Sequence, residues 1–91
     1  MAIAIDNTSS GKMASTQGTV SHIVSAGLSN GMLVCTLSTQ DSNHANLPIG
    51  SITYGGVSMT KVRQDTSNTN NVSSAAYYLL APTAGTANVI V

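Results

Sequence analysis

Gly27-Leu28-Ser29-Asn30-Gly31 matches the G-x-S-x-G pattern of a serine nucleophile elbow, and Asp41 and His44 follow it, so acyl transfer is the first chemistry to weigh. An elbow needs a strand before the serine and a helix after it. Here the alternation of a strand resumes at Met32. Asp41 and His44 lie three residues apart in one polar stretch, too close to place the histidine between serine and acid as a triad requires. Asn30-Gly31 supplies residues that tolerate positive φ, as a two-residue hairpin turn demands, and the turn explains both of them. Ser29 reads as a turn residue.

Metal and nucleotide motifs are also incomplete. The run from Asp6 to Gly11 begins and ends like the first half of an EF-hand loop, but Thr8 and Ser10 stand where carboxylate or amide ligands belong, and Gln17 stands in place of the bidentate Glu. A weak calcium site built from Asp6, Asp41 or Asp65 with loop carbonyls stays open. Gly55-Gly56 is followed by neither Lys-Ser nor Lys-Thr, and a strand pattern succeeds it, which excludes a phosphate loop. His22 alternates with Val20 and Val24, the setting of a structural histidine holding one hydrogen bond. Cys35 is the only cysteine, so the chain has neither an internal disulfide nor a zinc cluster; sharing a strand face with Leu33 and Leu37, it is expected to be buried and reduced. No catalytic residue, cofactor or metal ligand is assigned.

Tyr77 and Tyr78 are adjacent and must point to opposite faces of a strand. Tyr54, with Asn68, Asn70 and Asn71 of a polar run, is the candidate platform and loop for a carbohydrate. The competing reading packs at least one of Tyr54, Tyr77 and Tyr78 in the core with its hydroxyl at the rim.

Charged residues make up 7% of the 91-residue chain and cancel: Lys12, Lys61 and Arg63 against Asp6, Asp41 and Asp65. No basic face exists to gather phosphates, which argues against nucleic acid. The longest apolar run, Ala75 to Ala81, is too short to cross a bilayer. The N-terminus lacks the basic leader of a signal peptide, and the expectation is a protein made and kept in solution. A chain this short buries only about 60–65% of its unfolded surface, so help from partners is expected.

Wherever apolar residues occur they alternate with period two, and no helical stripe is sustained. The fold class is all-β: an antiparallel sandwich, jelly-roll-like or Ig-like, in one domain over residues 1–91. Expected strands cover 2–6, 19–25, 32–39, 51–54, 57–64, 73–80 and 86–91, with hairpins at Asn30-Gly31 and Gly55-Gly56. The run 65–71 reads as an exposed loop. Residues 32–39 carry apolar side chains on both faces and read as a central strand. Pro82 and Gly85 frame a turn expected to send 86–91 back along 73–80.

The stretches "ITYGGVSMTKV" and "AAYYLLAPTAGTANVIV" resemble a group of β-sandwich domains from phage virion proteins and bacterial surface or secreted proteins, which share a Tyr-Gly-Gly hairpin and a Pro-x-x-Gly-Thr-Ala turn. The likeness is strongest over residues 52–91. It implies a jelly-roll-like module used for structure, display or adhesion, with no catalytic residues to carry over. Members of the group usually continue well past the last of these segments, which implies that this chain is the N-terminal half of a longer module or a short member.

Thr86, Asn88, Val89, Ile90 and Val91 combine high β-propensity with no gatekeeping charge, so a free edge there is expected to recruit a neighbouring chain. Together these features point to a structural subunit of a phage particle, capsid-decorating or tail-associated, partnered by copies of itself or by other virion proteins. The alternative is a carbohydrate-binding or adhesive module of a bacterial surface or secreted protein.

Overall fold

The alternation in the sequence becomes two pleated layers. The computed structural model describes residues 4–12, 18–28, 30–40, 51–67 and 72–91. Its strands are β1 Thr19–Val24, β2 Met32–Gln40, β3 Thr53–Tyr54, β4 Val57–Ser58, β5 Thr60–Ser67, β6 Val72–Leu80 and β7 Gly85–Ile90. They pair antiparallel throughout, in sheets ordered β1-β7-β3-β4 and β2-β6-β5 that pack together as a small all-β sandwich.

The pleat sorts side chains as the period-two pattern requires. From the first sheet Val24, Tyr54 and Val89 enter the core, with Ile52 and Met59 flanking its β3-β4 hairpin, and from the second Ala75 and Tyr77. Leu33, Cys35 and Leu37 of β2 face the same interior but stay half-buried. Tyr77 and Ile52 are the largest fully buried side chains, while Tyr78 lies on the opposite face of β6 and is only half-buried.

The Gly55-Gly56 hairpin forms as expected. Tyr54 pairs with Val57 across it, and both glycines adopt positive φ, 57° and 83°, the condition of a type I′ turn. Beyond it, the expected strand 57–64 divides at buried Met59: β4 stays with β3, and β5 joins β6 in the other sheet. β5 runs to Ser67, so Asp65, Thr66 and Ser67 belong to a strand rather than a loop. The hydroxyl of Thr66 is explained by Ser73, a buried hydroxyl opposite it in the register. Ser73 donates to Asp65 O (3.2 Å) and accepts from Gln64 Nε2 (3.2 Å) and Thr66 Oγ1 (3.0 Å), which uses its one proton and both lone pairs.

Three expectations about strand placement are corrected. β1 and β2 lie in different sheets, so Asn30-Gly31 is not a hairpin; Asn30 takes φ 58° in a connection that crosses between layers. β6 and β7 likewise lie in different sheets. Pro82 and Gly85 therefore mark a crossover, with Ala81 at φ 51° and Gly85 at φ 107°, and β7 does not run back along β6. β2 is an edge strand, paired among the described residues with β6 alone, whereas β7 sits between β1 and β3. Of the expected strand 2–6, residues 4–6 are irregular, and Asp6 reaches Ser25, just past β1, through its side chain instead of a ladder.

Candidate functional site

The Tyr-Gly-Gly hairpin and the Pro82 to Gly85 crossover meet at one end of the sandwich and enclose a cleft of about 260 Å³. Tyr54, Val57, Leu79 and Pro82 supply its apolar wall, and Thr83 and Thr86 its polar one. Tyr54 forms part of the lining but is only 2% exposed. Its hydroxyl proton is shared between His22 O (3.3 Å) and Gly85 O (3.5 Å), tying β3 to β1 and to the start of β7. The reading of Tyr54 as a sugar-stacking platform is corrected on this ground: the ring is core, as the competing reading has it. Asn68, Asn70 and Asn71 lie outside the described residues.

His22 is buried on the inner face of β1, edge-on to Tyr54 at 6.2 Å between ring centroids. Its Nδ1 is 2.9 Å from Ser9 Oγ. The pair went unforeseen because Ser9 sits in an irregular polar run with no period to place it. A serine on a histidine is the geometry of nucleophile and base, but here the imidazole is walled in by the sheet and by Tyr54, and what the contact does is satisfy a buried ring nitrogen. The carboxylate nearest in sequence is already engaged. Asp6 Oδ2 accepts from Ser25 N (2.9 Å) and Asn7 Nδ2 (3.3 Å), and Asn7 Nδ2 also donates to Ile23 O (3.0 Å). The Ser25 hydroxyl and main-chain N–H hold the Asp6 carboxyl below the ordinary carboxylate range. These contacts fasten Asp6, Asn7 and Ser9 along β1.

Asp65 is bound to Arg63 in an exposed pair at 2.8 Å, while Ser29, Asp41 and His44 fall outside the described residues. Cys35 is a free thiol, half-buried rather than buried, because β2 lies at the sheet edge; its partial burial pushes the thiol pKa up. Lys61 places its ammonium 5.7 Å from the centre of the Tyr77 ring at the rim of the core.

The terminal candidates separate by face. Val89 enters the core, Val91 is half-buried with its N–H donating to Gly18 O (2.9 Å), and Thr86, Asn88 and Ile90 point outward. β1 pairs with Gly85 through Ile90, β3 pairs with Val89 and Ile90, and Asn88 O accepts from Gly55 N (3.0 Å). The reading of this segment as an open edge awaiting another chain is therefore corrected: its neighbours come from the same chain. The missing gatekeeper charge reflects a middle strand, where a charge would face two ladders.

The outer face of the β2-β6-β5 sheet was not singled out by sequence. Met32 pairs with Leu80, and Val34 with Tyr78, so four apolar side chains adjoin on one surface. Met32, Val34 and Leu80 are 58%, 56% and 65% exposed. The signal is present in the even positions of 32–38, but apolar residues on both faces of a strand equally fit burial on both sides. No protein-family model, curated protein or solved structure matches the chain.

Proposed function

We propose that this protein is a structural subunit of a virus particle, of the kind that decorates a phage capsid or belongs to its tail, synthesised in the host cytoplasm and acting by packing against protein rather than by catalysis. The observation that carries this reading is the contiguous Met32, Leu80, Val34 and Tyr78 surface. Single exposed apolar residues are ordinary, but a joined group on a sheet face marks a surface made to meet protein. The virion setting is supported by the resemblance of "ITYGGVSMTKV" and "AAYYLLAPTAGTANVIV" to virion and surface domains. Burial of Tyr54 counts against a carbohydrate platform built on that ring. Immunogold labelling of intact native particles with antiserum to the purified chain tests the proposal. Label on the particle surface is the expected result, and label confined to the unassembled soluble fraction rejects it.

A further inference from the structure

Among the described residues the sandwich has four sheet edges, and three of them are blunted. β4 is two residues long. β5 carries Lys61, Arg63 and Asp65, with a bulge that leaves Val62 unpaired between Lys61 and Arg63. β1 is met by residues 4–12 through Asn7 and Asp6. Among the described residues β2 has none of these devices. It is nine residues long, its pairing with β6 is in register from Met32↔Leu80 to Gln40↔Val72, and it contains no charge, proline or glycine.

A second observation concerns the interior. Leu33, Cys35, Leu37 and Thr39 point toward the core but are only half-buried, so the apolar layer is open along the β2 side. Whatever covers this edge must supply a row of main-chain donors and acceptors together with apolar side chains on the core side.

We infer that the occupant is a second copy of this chain, with β2 pairing antiparallel to its own image about a two-fold axis at Thr36. Resting on the assembly reading above, this names the surface and the partner. In that register all nine residues find a mate: Met32 faces Gln40 of the second copy, Leu33 faces Thr39, Val34 faces Ser38 and Cys35 faces Leu37. The half-buried row of one copy then continues into that of the other, and the two three-stranded sheets become one of six strands. A charge on the axial residue, or like charges at mated positions, would repel across a two-fold; β2 has no charge, and Lys61, Arg63 and Asp65 stand on the far edge of the sheet. An edge about 30 Å long and about 10 Å thick gives an interface on the order of 300 Å² per copy, below the standard size class. The isolated dimer is therefore weak and concentration-dependent, and becomes firm when repeated within an assembly.

Thr36 is exposed on the outer face and tolerates a charge without disturbing the core. Sedimentation velocity of the wild type, of Thr36→Lys, of Thr36→Glu and of an equimolar mixture of the two variants tests the pairing. At the two-fold, like side chains lie on Cα atoms about 4.5–5.5 Å apart. The expected result is a wild-type mass rising with concentration toward twice 9.2 kDa, each variant alone at the mass of one chain, and the dimer restored in the mixture. Wild-type association that both variants retain overturns the β2 pairing while leaving the assembly reading standing. A monomeric wild type whose Thr36→Lys form no longer joins native particles overturns the second copy in favour of a foreign strand. A monomeric wild type that also fails to label particles overturns both.

Discussion

Tyr77 and Tyr78 are the same residue type, adjacent on one strand, and the pleat gives them opposite fates, so their replacement by alanine measures the layer arrangement directly. Tyr77 is 2% exposed in the core, and Tyr78 is half-buried on the outer face beside Val34 and Thr60. Burying an aromatic side chain removes about 150–250 Å² from water, worth about 4–6 kcal/mol at about 25 cal/mol per Å². Measured aromatic-to-alanine losses in cores run about 3–5 kcal/mol, so about 4 kcal/mol is expected for Tyr77→Ala. Tyr78→Ala should cost about 1–2 kcal/mol, since part of its ring is already in water. A chain of 91 residues has about 5–14 kcal/mol of total stability at about 0.05–0.15 kcal/mol per residue. With so few apolar side chains fully buried, this protein belongs at the low end of that range, and Tyr77→Ala should consume most of it. Urea denaturation followed by far-ultraviolet circular dichroism, at one fixed protein concentration, gives the midpoints. Ile52→Val, at a site 1% exposed, serves as a graded core control expected to cost about 0.5–1.5 kcal/mol. A Tyr78→Ala midpoint as low as that of Tyr77→Ala would show that the inner and outer faces of β6 have been assigned the wrong way round.

Gly56→Ala should cost about 1–2 kcal/mol from its φ of 83° alone, and Gly55→Ala more, because its new Cβ would also approach the Ala87 Cβ to 3.3 Å; equal urea midpoints would contradict that order. Asp6 has a depressed carboxyl, so the tie it makes to Ser25 is fully present above about pH 3.9 and is lost as pH falls through the lower folded value. The Ser25 amide proton, followed by NMR, should titrate with its midpoint below about 3.9, and a midpoint above that value would refute the tie. The raised thiol of Cys35 should react with a disulfide reagent more slowly in the native protein than in urea at pH 8, and equal rates would place Cys35 in open solvent.

How far the sequence reveals the fold depends on whether a feature is local. The turn at Gly55-Gly56 is legible because two consecutive positive φ angles need two permissive residues, and the strands it joins are its immediate neighbours. The faces of β6 and the inward placement of His22 follow from parity alone. Sheet membership does not. Asn30 has the backbone geometry its type suggests, yet nothing in a turn residue states whether the next strand pairs back or crosses to the opposite layer. The edge position of β2 and the middle position of β7 are hidden from the sequence for a related reason. Apolar residues on both faces of β2 look the same whether the outer face is covered by a strand layer or left exposed, and absence of charge on β7 looks the same at an unprotected edge or between two partners. The Ser9 to His22 contact joins an irregular segment to a strand, and irregular segments carry no periodic signal.

The central place of β7 also sets an order of events. Thr19 pairs with Ile90, 71 positions further along the chain, and Val24 pairs with Gly85, 61 positions further. By contrast, β5 and β6 are joined by a short connection, Ser67 opposite Val72. Closing the longer loop loses more chain entropy before any ladder bond repays it, and topologies rich in such pairs fold slowly. The β5-β6 hairpin can therefore form early and take up β2. β1 and the β3-β4 hairpin must wait for the strand that lies between them. During that interval their ladder groups stand open, so conditions that slow the arrival of residues 85–90 should promote misassembly in a protein whose finished sheet conceals those same groups.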